Sequence, residues 1–315
     1  MGVYAVQNEM YWKLARESME PEAQEKSIAY LAEHLGKFLR KNERVLICFP
    51  EHKKGNLSWL MEQAALRCDA VPVIWGPDHR WKTLLQQAFY SHAGAIIGPP
   101  LILLGLTKLK KFHGTPLPIR RVVSAGYPCP DWMIDGIVKG LDCEVGGCFS
   151  LGYTGAVAGF ACGHSWGVHL RDDTYSVEIL DPEGRPVADG EAGELVLSSK
   201  KNPDLRCLMG DTGRMLTEAC ACGSSSPRLM DFGPGRHVEP DLSELGQQLQ
   251  SWTSILDCRL VKGECGLEVE IVCFPGEKLP KLPSAAKLVV RPWNPKNDEP
   301  FPYTPALYGT HEFEF

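Results

Sequence analysis

The first half of the chain alternates between helical and extended hydrophobic patterns. From Glu22 to Lys41 the apolar residues recur at helical spacing, and the continuous apolar run 44–50 that follows predicts a buried strand. The alternation continues, with helices predicted at 57–68 and 82–93 and strands at 70–76, 94–100 and 119–126. Uninterrupted apolar strands separated by helices are typical of a parallel sheet covered on both faces. The pattern therefore predicts an α/β fold with a doubly wound, mainly parallel sheet, whose ligands bind at the carboxyl ends of the strands.

The pattern changes after about Gly146. Segment 177–199 contains two alternating stretches that flank turn sequences rich in Asp, Gly and Pro, which predicts an antiparallel hairpin in a barrel-like region. Beyond it, the pattern predicts a helix at 242–256 and strands at 258–263, 267–275 and 287–293. We therefore expect three units, which are a parallel α/β subdomain at 1–145, an antiparallel β subdomain at 146–234 and a small C-terminal α/β domain at 235–315.

Composition narrows the classes of ligand. The 315 residues carry a formal charge of -6, which argues against nucleic acid or an anionic membrane as partner, because both attract clustered Lys and Arg. The sequence shows neither a signal peptide nor an apolar run long enough for a membrane span, so we expect a cytoplasmic protein. Its twelve cysteines should then be reduced, and metal ligation is a more natural use for them than disulfides.

Several motifs follow one another in a characteristic order. The hairpin at 177–199 is followed by LRCLMGDTGRM at 205–215, CACGSSSPRL at 220–229 and GRHVEPDLSEL at 235–245, and SAGYPCP stands earlier at 124–130. From about residue 44 onward, this order resembles the phenylacetate-CoA ligase branch of the adenylate-forming (AMP-dependent) synthetases and ligases. The resemblance implies the adenylate-forming enzyme fold without its N-terminal part.

The resemblance also implies positions for a nucleotide. Asp211 stands where the family has an aspartate for the ribose hydroxyls, and a carboxylate suits a vicinal diol because it accepts two hydrogen bonds. Gly126 and Tyr127 correspond to the loop that borders adenine. Gly152, Tyr153 and Thr154 correspond to the family's Tyr-Gly-Leu-Ser/Thr-Glu motif. For Asp211, a simple turn residue before Thr-Gly is the alternative.

Cysteines and histidines suggest a metal site. Cys220 and Cys222 form a Cys-x-Cys pair, and Cys162 is followed by His164 and His169. The pair alone is weak evidence, since unligated thiols are common in cysteine-rich chains. The resemblance implies Cys162, His169, Cys220 and Cys222 as the ligands, with His164 as a competing ligand. Three thiolates and one imidazole complete a tetrahedral zinc shell, so the zinc would be structural.

Three catalytic features of the family are missing from the sequence. We find no Gly-rich phosphate loop before the helix at 22–41, and Gly155 stands where the family has a magnesium-binding Glu. The family's C-terminal catalytic lysine has no counterpart near the end of the chain, where Lys287 and Lys296 are only distant candidates. All three features serve the attack of a carboxylate on ATP, so we expect adenylation to be lost.

Three functions remain open. The first is a shortened ligase homologue that binds AMP, ATP, CoA or an acyl ligand without efficient adenylation. The second is an active AMP-forming CoA ligase for an aromatic or small carboxylic acid, and the third is a non-catalytic subunit or interaction module with a protein partner. The basic run at 108–111 could face a phosphate of CoA, although a solvated helix end is the commoner explanation of such a run.

Overall fold

The computed structural model describes residues 3–76, 78–152, 154–162, 167–234, 240–263, 266–279 and 287–301. Five parallel strands form half of a large sheet in the order β2-β1-β3-β4-β5, and a helix precedes or follows each of them. The strands are β1 Arg44–Ile47, β2 Val71–Ile74, β3 Ala95–Gly98, β4 Arg121–Ala125 and β5 Glu144–Ser150. The helices are α2 Pro21–Phe38, α3 Leu57–Arg67, α4 Trp81–Tyr90, α5 Pro100–His113 and α6 Asp131–Leu141.

Alternate residues of the parallel strands face two separate helical layers. Leu46, Ile96 and Val122 pack against α4, α5 and α6 on one face. Their neighbours Val45 and Ile97 pack against α2 and α3 on the other. Both faces of the parallel strands are therefore buried from solvent, which explains why their sequences are continuous apolar runs.

The sheet continues without a break into an antiparallel half. Its order is β6-β7-β11-β10-β9-β8, joined to β5 through β6, so that eleven strands form one sheet. These strands are β6 Val157–Phe160, β7 Val168–Leu170, β8 Tyr175–Leu180, β9 Ala192–Ser199, β10 Arg206–Leu216 and β11 Arg228–Pro234. The predicted hairpin is β8 and β9, which pair in antiparallel register.

An additional helix, α1 (Val3–Ser18), covers part of the antiparallel half. Leu14 is fully buried there in a third apolar cluster, together with Phe149 and Leu151 of the β5 end and Cys207 of β10. Helix α1 was not among the predicted elements.

The C-terminal unit packs against α5 and shares its core. It contains α7 Pro240–Ser251 and a three-stranded sheet of β12 Ile255–Gly263, β13 Gly266–Cys273 and β14 Lys287–Pro292. Phe112 of α5 stacks on Phe274 with ring centroids 4.3 Å apart, and the apolar residues of the unit belong to the same cluster as those of α4 and α5. Helix α7 ends at Ser251, earlier than the apolar pattern predicts, because Ile255 already begins β12.

The mixed α/β architecture with a large sheet and a smaller C-terminal sheet confirms the predicted fold class. The boundaries at 145/146 and 234/235 stay a prediction. Within the described residues, no helix is long and apolar enough to cross a membrane.

Candidate nucleotide cleft and metal centre

Two of the predicted nucleotide positions lie at the carboxyl ends of neighbouring strands. Gly126 follows β4, and Gly152 follows β5, which pairs with β4 in parallel register. Both glycines have positive φ, +96° and +53°, a conformation that lets a tight turn follow each strand. Tyr127 is half-buried beside Gly126.

The turn after β5 is held by its own side chains. Ser150 Oγ donates to the carbonyl of Gly152 at 2.8 Å, and Thr154 Oγ1 donates to the carbonyl of Leu151 at 2.7 Å. Thr154 Oγ1 also accepts from the N–H of Ala156 at 3.2 Å. In this structure the hydroxyl of Thr154 therefore stabilises the loop. Tyr153 lies outside the described residues.

Asp211 lies on an irregularity of β10. Three residues of β10, Met209, Gly210 and Asp211, oppose the single residue Leu195 of β9, because pairing resumes at Thr212. A bulge of this kind redirects the side chains next to it, and Gly210 supports it with φ of +77°.

The carboxyl group of Asp211 is in a desolvated position. Its side chain is half-buried, and burial raises its pKa to about 7. Among the described residues, no hydrogen bond or ion pair reaches this carboxylate, although charged groups removed from water are normally paired. Such a group is a candidate for binding a ligand.

Gly155 has no room for a side chain. A Cβ at this position would lie 2.7 Å from the carbonyl oxygen of Gly55 and 3.2 Å from Ser18 Oγ. The loop after β1 and the end of α1 therefore leave no room for a side chain at this position.

The structure brings the four predicted metal ligands together. Cys162 follows β6, His169 lies on β7, and Cys220 and Cys222 lie in the turn between β10 and β11. Their ligand atoms all lie within 4.8 Å of one another. The Sγ atoms of Cys162 and Cys220 are 3.7 Å apart, and Cys222 Sγ is 3.4 Å from His169 Nε2.

The sulfur–sulfur distance of 3.7 Å and the sulfur–nitrogen distance of 3.4 Å are close to those of a tetrahedral zinc shell. Zinc bonds of about 2.3 Å to sulfur and about 2.0 Å to nitrogen put S···S at roughly 3.8 Å and S···N at roughly 3.5 Å. The backbone N–H of Cys222 points to Cys220 Sγ at 3.5 Å, and that of Ser224 to Cys222 Sγ at 3.4 Å. Donors of this kind stabilise thiolates.

His169 presents its Nε2 to the cluster in a fixed orientation. The opposite ring nitrogen, Nδ1, is 3.2 Å from the carbonyl oxygen of Ser226. Donation of this hydrogen bond places the proton on Nδ1, so the lone pair of Nε2 is free to bind a metal. His169 and Cys220 are buried, whereas Cys222 is exposed. The competing ligand His164 lies outside the described residues.

A groove that the sequence did not predict lies next to the metal cluster. It has a volume of about 890 Å³ and lies between α2 and residues of strands β6 and β7. Its aromatic floor is formed by Tyr30, His34 and Phe160, whose rings pack in series. None of the predicted nucleotide residues lines it.

Comparison with known proteins identifies the class of fold. No protein family model and no curated protein matches the sequence. Solved structures share the architecture at low sequence identity, among them CoA ligases and an amide bond synthetase, and the chain has the adenylate-forming enzyme fold.

Three of these structures illustrate the likeness. A 2-hydroxyisobutyryl-CoA ligase, in complex with an adenylate in its postadenylation state, has a TM-score of 0.61 at 18% identity over 78% of this chain and 58% of its own. A benzoate CoA ligase from Burkholderia xenovorans LB400 has a TM-score of 0.54 at 14% identity over 84% of this chain and 62% of its own. The amide bond synthetase McbA from Marinactinospora thermotolerans has a TM-score of 0.53 at 14% identity, covering 84% and 61% respectively. This chain thus spans less than two thirds of each.

Proposed function

We propose that this protein is a homologue of the phenylacetate-CoA ligase branch that binds an adenine nucleotide or an acyl- or CoA-type ligand without efficient adenylation. The ligand would lie in the cleft defined by Gly126, Thr154 and Asp211, which we call the candidate cleft. A 2-hydroxyisobutyryl-CoA ligase of the same fold has been solved in complex with 2-HIB-AMP and CoA, which supports this class of ligand.

The observation that carries the proposal is the desolvated, half-buried carboxyl group of Asp211, which no hydrogen bond or ion pair reaches in the part of the chain that the structure describes. A buried carboxyl without a partner destabilises the folded protein unless a ligand satisfies it. A ribose diol offers two hydroxyl donors, and hydrogen bonds to a charged acceptor stabilise a complex by about 1.5–3 kcal/mol each. Asp211 on its bulge is therefore well suited to a ligand with neighbouring hydroxyls.

The crowding around Gly155 supports the loss of adenylation. A carboxylate at this position would bind the magnesium ion that screens the phosphates, and the Gly55 carbonyl oxygen stands 2.7 Å from where even a Cβ would begin. Removing one electrostatic group from an active site typically costs about a hundred- to a thousand-fold in rate. We therefore expect the protein to bind a nucleotide without catalysing adenylation.

The Cys162, His169, Cys220 and Cys222 cluster would hold a structural zinc ion. Four protein ligands leave no open position for substrate, and the ion would connect β6 and β7 to the β10–β11 turn. We expect about one zinc per chain after purification without chelator. Replacing both Cys220 and Cys222 by Ser should abolish zinc binding, whereas Cys68→Ser, which changes a half-buried thiol directly after α3, should not. Zinc-free wild-type protein would contradict the site.

Calorimetry and isotope exchange test the proposal together. Titration with AMP, ATP and CoA should give saturable heat with at least one of them, while acid-dependent pyrophosphate exchange into ATP should stay at background across a panel of aromatic and small carboxylic acids. Clear exchange would favour an active ligase. No heat with any of the three would favour an interaction module.

A further inference from the structure

Helix α1 packs beside the loop after β5 and against β10, two of the segments that carry the predicted nucleotide positions. Tyr11 is half-buried, and a Cβ on Gly152 would lie 2.9 Å from its hydroxyl oxygen. Burial raises the pKa of this hydroxyl to about 12, and the nearby Cys207 thiol of β10 adds to the effect. Tyr11 therefore reaches both the loop after β5 and the strand that carries Asp211.

The buried face of α1 follows helical spacing. Tyr11, Leu14, Ala15 and Ser18 recur at intervals of three and four and face the protein, and Leu14 and Ser18 are fully buried. Ser18 Oγ is also one of the atoms that close the space beside Gly155. One helix thus contacts both glycines of the turn that corresponds to the family's nucleotide motif.

The outer face of α1 is held weakly. Trp12 is 49% exposed, and Lys13 pairs with Glu9 of the same helix at 2.7 Å rather than with the body of the protein. Leu14 is the only large apolar residue of positions 9–18 that is fully buried. A helix of this length is marginal alone in water, so its structure depends on the docked face and on the hydrogen bond that Ser199 Oγ of β9 donates to Glu17 Oε1.

We propose that residues 9–18 of α1 form a displaceable strap that covers the candidate cleft, so that a nucleotide binds only when the strap detaches. This inference rests on the proposed function and adds its regulation. A site that is open in only a fraction of molecules binds with an affinity reduced by that fraction. Weakening the strap should therefore strengthen nucleotide binding.

The test compares wild-type protein with Tyr11→Ala and with Trp12→Ala, the neighbouring exposed residue, as matched control. Titrated with AMP in a calorimeter, Tyr11→Ala should bind about tenfold or more tightly than wild type, and Trp12→Ala within about twofold. Saturating AMP should also speed trypsin cleavage after Lys13 and Arg16 in wild type, a measurement independent of any variant.

The outcomes separate the strap from the function. If wild type binds AMP and Tyr11→Ala binds it with equal or lower affinity, the strap proposal is wrong and the nucleotide site is retained. The same conclusion follows if AMP protects Lys13 and Arg16 from trypsin. No AMP heat from any of the three proteins overturns the strap, and the proposed function falls with it when ATP and CoA give no heat either.

Discussion

Asp211→Asn should stabilise the protein at neutral and alkaline pH. The amide has nearly the shape of the carboxyl group but no charge to desolvate. In the folded protein burial raises the pKa of Asp211 to about 7 from an ordinary value of 3.8. Between these two values the folded state binds the proton more tightly than the unfolded state does.

The sign and size of the effect follow from proton linkage. The stability associated with this group is fully present below about pH 4 and is lost as pH rises to about 7, at roughly 1.4 kcal/mol per pH unit. For a rigid site, this loss of unfolding free energy reaches about 4 kcal/mol. Relaxation of the residues around the charged carboxylate should reduce it to about 2 kcal/mol. Asp211→Asn should therefore gain about 2 kcal/mol over wild type at pH 8 and almost nothing at pH 4.

Urea denaturation at pH 5, 6.5 and 8 measures this difference directly. Asp204→Asn, an exposed aspartate in the turn before β10, serves as the control and should follow the wild-type pH profile. A variant at position 211 that is less stable than wild type at pH 8, or that shows the same pH profile, would refute the reasoning.

Three further predictions follow from the site and the core. AMP affinity should weaken as pH falls below about 7, because protonation removes the negative charge of Asp211 and turns one acceptor oxygen into a donor hydroxyl. Calorimetry at pH 5.5 and 8 checks this. Gly155→Ala should destabilise the folded protein by about 1–3 kcal/mol, because the added methyl group would overpack against the Gly55 carbonyl. The control Gly36→Ala, where the nearest atom is 3.7 Å away, should not destabilise it. The midpoints of urea denaturation measure the difference. Lys108→Met should destabilise the contact of α5 with the C-terminal unit by about 1–3 kcal/mol, because the side chain of Gln250 loses a buried donor at 3.2 Å. Faster hydrogen exchange in α7 would show this loss.

The parallel half of the fold was predictable because its signal is local. Each apolar run is short, lies between Pro or Gly and a helical pattern, and is buried on both faces, as with the run 44–50 and β1. The four candidate metal ligands were predicted from the ordered motifs, because the spacing of Cys220 and Cys222 alone says nothing about the distant Cys162 and His169.

Helix α1 was missed, although a signal was present. Tyr11, Leu14, Ala15 and Ser18 mark one face of a helix, but Ser and Ala are weakly apolar, and charged residues surround them. Only the tertiary structure shows that this face packs against the antiparallel half of the sheet.

The solvated helix end expected at 108–111 was wrong for Lys108. This residue is buried, and burial lowers the pKa of its ammonium group to about 8. Its cover comes from the C-terminal unit, whose Gln250 lies 142 positions away in sequence, so no local pattern could reveal it. Asp257, whose pKa burial raises to about 6, lies beyond Gln250 in the same buried network.

The central claim is that Asp211 binds a ligand with neighbouring hydroxyls, and titration of AMP into wild-type protein and Asp211→Asn at pH 8 tests it most directly. We predict saturable binding by wild type and affinity at least about tenfold weaker in the variant, which loses charge-assisted hydrogen bonds. Equal affinities in the two proteins, or no binding by wild type and by the strap variant Tyr11→Ala, would contradict the account.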